Sequence, residues 1–353
     1  MRLNILFFLA ISLAIALSFS SFRFGDEKAF NNYPDKLSDW KFFEGKLSDL
    51  NPVSDLTPYE LRTPLFSDYA QKLRFVRIPK GTKVKFEAKE VFDFPIGTVL
   101  IKNFYYANDL RKPEKGRKIM ETRLLVHESG GWENLVYIWN EDQSEAVLDL
   151  AGDTKQVSWT DEKGKKQKLD YIIPNKNQCK GCHSFNNKVK PIGPTARQLN
   201  GNLTYSSGTE NQIIHWNKSG ILDELPSDIN QVDKIAVWND PQSGSLDQRA
   251  RAWLDINCAH CHRPEGPGNT SGLYLSYYEA NKTALGIYKT PVAAGRGSGG
   301  FDYDIEPGKP EKSILLYRIH STDPGIMMPE IARKLVHKEG VELISQWIKA
   351  MKP

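Results

Sequence analysis

The sequence predicts an α+β multidomain protein, an antiparallel β sandwich or barrel-like domain followed by a mostly α-helical domain, and three observations predict it. Between residues 73 and 173 short apolar runs alternate with turn residues at the spacing of strands. After Ser245 the apolar positions recur at helical spacing. At the end of the first period, and again within the second, stands one five-residue pattern: Cys179-Lys180-Gly181-Cys182-His183 and Cys258-Ala259-His260-Cys261-His262. The division that follows is 1–22 as leader or anchor, 23–174 as the β-rich domain, 175–244 as a segment around the first pattern, and 245–353 as the helical domain.

The chain has 353 residues, 40% of them hydrophobic, enough for two or three cores. Lys and Arg number 47 against 43 Asp and Glu, a net charge of +4 that is too weak to indicate nucleic acid. Met1-Arg2 precedes an apolar run from Ile5 to Phe19, the length of a signal-peptide core, followed by Ser20, Ser21 and Arg23. Export to the periplasm or another extracytoplasmic place is expected. Because no clean small-residue cleavage site follows, an uncleaved membrane anchor is the alternative.

Residues 24–60 are turn-rich, with an amphipathic turn expected near Trp40 to Leu50. Strand runs are expected at 73–78, 83–87, 98–106, 120–127, 134–139, 145–150, 156–160 and 168–173. Breakers such as Pro79-Lys80-Gly81 and Ser129-Gly130-Gly131 separate them, and the lysine-rich stretch 161–166 reads as a solvated hairpin tip. The last strand leads directly into the first five-residue pattern, without an evident helix to carry it. A helix is expected over 209–220. Ser245 with Gln248 reads as a capping box for a helix running to the second pattern, and further helices are expected at 312–319 and 340–350.

The two patterns carry the chemistry. Thiols three residues apart each add to one vinyl group of a single porphyrin, and the histidine directly after the second presents its imidazole to the iron. Two covalently attached c-type haems are therefore expected, held by Cys179, Cys182 and His183 and by Cys258, Cys261 and His262. A shared structural zinc site does not account for the trailing histidine in both copies, and a disulfide framework is not needed by a chain of this length.

Each iron then needs a sixth ligand. Met327-Met328-Pro329 lies in the loop before the terminal helix, and Met328, directly before proline, is the candidate for the second haem. Between Cys182 and Cys258 no Met occurs, and His215 is the candidate for the first haem, with His127 and Met120 next and an empty position as the remaining alternative. His260 is expected to face outward, and His320 and His337 have no supporting pattern. The run Gly295-Arg296-Gly297-Ser298-Gly299-Gly300 lacks the Gly-Lys-Ser/Thr ending of a phosphate loop; Arg296 is instead assigned to a haem propionate.

The segments TPLFSDYAQKLRFVRIPKGTK, FPIGTVLIKNFYY, ETRLLVHESGGW, IPNKNQCKGCH, RARAWLDINCAHCH, PVAAGRGSGG and GIMMPEIARKLVHKEG resemble a family of exported bacterial dihaem c-type cytochromes over roughly residues 55 to 350. The resemblance implies two covalent haems, an extracytoplasmic place and a C-terminal class I cytochrome c domain with Met328 as distal ligand. It brings no substrate. The FPIGTVLIKNF and GGW elements are faintly similar to β-sheet cytochromes that oxidise hydroxylamine.

Three functions compete. The first is a dihaem carrier passing electrons between redox protein partners. The second is a redox enzyme, peroxidase-like or hydroxylamine-oxidising, whose first haem keeps an open position and is fed by the second. The third is a binding module using Phe104-Tyr105-Tyr106, Trp132 and Trp139, residues that core packing explains equally well. The carrier is the reading adopted.

Overall fold

Alternating apolar and polar residues build a sheet whose strands follow one another in chain order. In the computed structural model, which describes residues 33–352, these strands are β1 (Leu56–Pro58), β2 (Gln71–Arg77), β3 (Val99–Ala107), β4 (Arg117–Glu128), β5 (Gly131–Trp139) and β6 (Ala146–Leu148). Every neighbouring pair is antiparallel. The protein is thus β-rich, as the sequence predicts, but the sheet is an open six-stranded meander and does not close into a barrel.

Two further strands, β7 (Asp153–Thr160) and β8 (Lys166–Ile173), form a separate hairpin. Its Val157, Trp159, Leu169 and Tyr171 pack with Phe104, Tyr106 and Val136 of the sheet. Alternation explains the packing: inward residues of each strand are apolar, while the tip around Glu162-Lys163 is solvated. The strand expected at 83–87 shrinks to Val84–Lys85 and pairs in parallel with Leu222–Asp223, outside the sheet.

Six α-helices are present among the described residues: α1 (Lys176–His183), α2 (Ala196–Leu199), α3 (Gln212–Lys218), α4 (Leu246–Asn257), α5 (Ile314–His320) and α6 (Lys338–Ala350). The turn expected near Trp40 is two short 3-10 turns, Leu37–Trp40 and Leu47–Asp49. The predicted capping box forms at α4: the Gln248 amide N–H donates to Ser245 Oγ across 3.2 Å and the Ser245 N–H to Gln248 Oε1 across 2.9 Å. Trp253 and Leu254 of α4, Leu315 and Ile319 of α5 and Ile344 and Trp347 of α6 share one core. Residues 209–211 are strand rather than helix, because Gly208–Asn211 pairs with Asn202–Tyr205 before α3 begins.

The expected leader, 1–22, lies outside the described residues. No helix among the described residues is long and apolar enough to cross a membrane.

Candidate haem-attachment site

Both five-residue patterns sit on helical turns, for reasons visible in their caps. The first occupies α1, and here the structure corrects the sequence reading, which had a strand run into it without a helix. Asn175 caps the helix, accepting from the Gln178 N–H at 2.9 Å while Gln178 Oε1 accepts from the Asn175 N–H at 2.9 Å. Eight residues of mostly polar sequence after a proline give too short a period to announce a helix; the cap makes it. The second pattern continues from the end of α4, with the His262 N–H donating to Cys258 O at 2.9 Å.

The fold brings the two patterns into contact. Cys261 Sγ donates to Gly181 O across 3.6 Å. The neighbouring Cys261 thiol, together with His260, holds the Cys182 thiol well below the ordinary thiol range, whereas the nearby Cys182 and burial push Cys261 up. His260 therefore faces the first pattern rather than outward: the helical turn that separates the two cysteines points its side chain at Cys182, and its buried Nδ1 has no partner. Burial raises Cys258 to about 12, and burial likewise raises Cys179.

Both trailing histidines present a neutral ring. Burial lowers His183 and His262 to about 4 each. His183 Nδ1 lies 2.9 Å from Lys190 O, which fixes the ring and leaves Nε2 for a metal. His262 Nδ1 is 3.4 Å from Ser271 Oγ. The loop after the second pattern folds tightly onto it, for a Cβ at Gly266 would stand 2.3 Å from Cys261 O.

The two trailing histidines line different cavities. That of His262 is about 620 Å³, lined by Cys258, Cys261, Met328, Arg318 and the apolar Leu273 and Ile319, with Gly181 and Cys182 of the first pattern also on its wall. Met328 is positioned by its backbone: its N–H donates to Arg318 O at 3.0 Å, and its carbonyl accepts from Arg333 Nε at 3.1 Å and Nη2 at 2.8 Å. Two thiols, an imidazole and a thioether on one cavity of this size suit a haem, which would be held by Cys258, Cys261, His262 and Met328. Arg296 is 70% exposed and paired with Asp323 at 3.0 Å, so the guanidinium lining this cavity is that of Arg318, which the sequence reading missed.

The cavity of the first pattern is about 130 Å³, between α1 and the sheet, lined by Cys179, Cys182, His183, Arg74, Lys102 and Arg123 among others. The sequence candidates for the distal position lie elsewhere. His215 on α3 bonds Glu210 Oε1 at 2.8 Å and stacks on Tyr205, with ring centroids 3.5 Å apart. His127 Nδ1 lies 2.8 Å from Phe94 O, and its ring stacks on Trp132; Met120 is fully buried in the core beside Phe104. None of the three lines the cavity. Of the aromatic residues in the binding-module reading, Phe104, Tyr106 and Trp139 are buried in the core, whereas Tyr105 and Trp132 are half-buried.

Among the described residues no three Cys, His, Asp or Glu side chains converge as they would around a bare ion. Comparison of the chain with protein-family models, with curated proteins and with solved structures finds no match.

Proposed function

We propose that the chain is a dihaem c-type cytochrome, of the exported bacterial kind its sequence resembles, that transfers electrons between redox proteins outside the cytoplasm. The observation that carries the reading is the contact between the two patterns: Cys261 Sγ at 3.6 Å from Gly181 O, with a separate cavity running from each histidine. Porphyrins attached at both would be neighbours. When bound, each supplies a one-electron iron couple.

The protein's own residues have three tasks. Cys179, Cys182, Cys258 and Cys261 would fix the macrocycles, and His183 and His262, held neutral by burial, would offer lone pairs to the irons. Leu273, Leu275, Leu315 and Ile319 keep water from the second cavity, and Arg333 holds the Met328 segment against it. Helix α4, the second pattern, the glycine-rich loop, α5, the Met328 segment and α6 follow in the order of a class I cytochrome c domain.

One observation favours a redox enzyme as the second reading: neither a Met nor a second His lines the first cavity. Electron-paramagnetic-resonance and optical spectra of the oxidised protein, before and after cyanide, separate the two. Two low-spin signals without cyanide uptake support the carrier. One high-spin signal that converts on adding cyanide supports the enzyme.

A further inference from the structure

We infer that Arg74, Lys102 and Arg123 form an anion site on the sheet wall of the first cavity, built for a carboxylate or a small oxyanion; the inference rests on the reading of Cys179, Cys182 and His183 as a haem site.

Strand register makes the site. Arg74 of β2 stands directly opposite Lys102 of β3, which stands directly opposite Arg123 of β4, so three cations form a row across adjacent strands on one face. Like charges directly opposite one another destabilise a sheet, and an inward-facing row needs something to offset the cost. Two carboxylates offset part of it. Arg123 forms a fork on Glu121, at 2.7 Å from Nε and 2.5 Å from Nη2, and Arg74 Nη1 meets Glu60 at 3.1 Å.

What is left over points into the cavity. The Arg74 side chain is 3% exposed, and its Nη2 is buried without a hydrogen-bond partner. The Lys102 amine has no hydrogen bond or ion pair among the described residues; it lies 4.8 Å from the centre of the Phe104 ring, a ring that Arg123 also covers at 4.3 Å. The neighbouring Lys72, by contrast, is satisfied by Leu65 O at 2.8 Å. A free guanidinium N–H beside a free amine, both on a cavity wall, is the donor set that carboxylates and oxyanions take. The anion has two sources: a propionate of a haem attached at Cys179 and Cys182, or a free oxyanion of the size of nitrite bound next to that haem.

The test uses the holoprotein and two variants, Arg74→Gln and Lys102→Leu, the second removing the charge without adding a polar group or a ligand. Mass spectrometry of the peptide containing Cys179 and Cys182 comes first. Absence of haem there overturns the dihaem reading and the inference with it. With haem present, a propionate partner predicts that each variant lowers the midpoint potential of the first haem. The Fe(III)/Fe(II) ratio at fixed potential should rise about tenfold, equal to about 59 mV, with the second haem unmoved and no response to nitrite. A free anion predicts that nitrite perturbs the spectrum of the first haem saturably and that Arg74→Gln weakens this at least tenfold. Both haems present, both variants folded, the first potential unchanged and no response to nitrite would overturn the anion site while leaving the dihaem reading intact.

Discussion

Gly181 and Cys261 stand 80 positions apart in the chain, yet the Cys261 thiol donates to the Gly181 carbonyl across 3.6 Å. The relationship places the end of α1 against the turn that follows α4, and so ties the β-rich part of the protein to the part that holds α4, α5 and α6. A carrier needs such an arrangement, because electron transfer between two centres weakens steeply with the gap between them.

Met328→Ala removes the thioether from the second cavity. The second haem is expected to change from low to high spin and to fall in potential, since Met ligation raises it, while the first haem stays as it was. Spectra of the variant beside the wild type check this.

Arg333→Gln leaves the Met328 carbonyl without its two guanidinium bonds and Ser321 O without its 2.8 Å bond. Arg333 is buried, so a loss of about 2–4 kcal/mol of stability is expected from unmade charge-assisted bonds, together with a larger high-spin fraction at the second haem. Urea unfolding measures the first effect and resonance spectra the second.

The buried pair of Arg197 and Asp255 joins α2 to α4. Asp255 Oδ2 accepts from Arg197 Nη2 at 2.8 Å and Nε at 3.1 Å, while Oδ1 takes the Tyr277 N–H at 2.9 Å. Asp255→Asn strands the guanidinium in the interior and should cost about 3–5 kcal/mol. Replacing both residues by apolar ones should cost much less, and a double-mutant cycle in urea compares the two.

What the sequence revealed and what it hid have a common explanation. The paired cysteines with their trailing histidines and the Ser245 cap are local features, and local features survive in a linear reading. The row of Arg74, Lys102 and Arg123 does not: three cations scattered over fifty positions become neighbours only through the register of β2, β3 and β4. Helix α1 was hidden because its stability comes from one cap and not from an apolar period. The inward turn of His260 was hidden because it depends on α1 lying opposite.

His337 carries a pH dependence. Burial lowers it from 6.5 to about 4, and its Nδ1 accepts from Trp253 Nε1 at 2.9 Å, a bond that only the unprotonated nitrogen makes. Between pH 4 and 6.5 the unfolded chain binds more protons at this residue than the folded one. Stability is therefore complete above about 6.5 and declines as pH falls toward 4, by on the order of 1–3 kcal/mol. His337→Gln, which keeps an acceptor for Trp253, should flatten the decline; urea unfolding at pH 4.5, 5.5 and 7 of both proteins checks the sign.

The most direct measurement is the haem content of the purified protein, by intact mass and by the mass of its two cysteine-bearing peptides. The account predicts two haems, one on Cys179 and Cys182 and one on Cys258 and Cys261. Free thiols, a disulfide between Cys182 and Cys261, or haem on one pattern alone would contradict it.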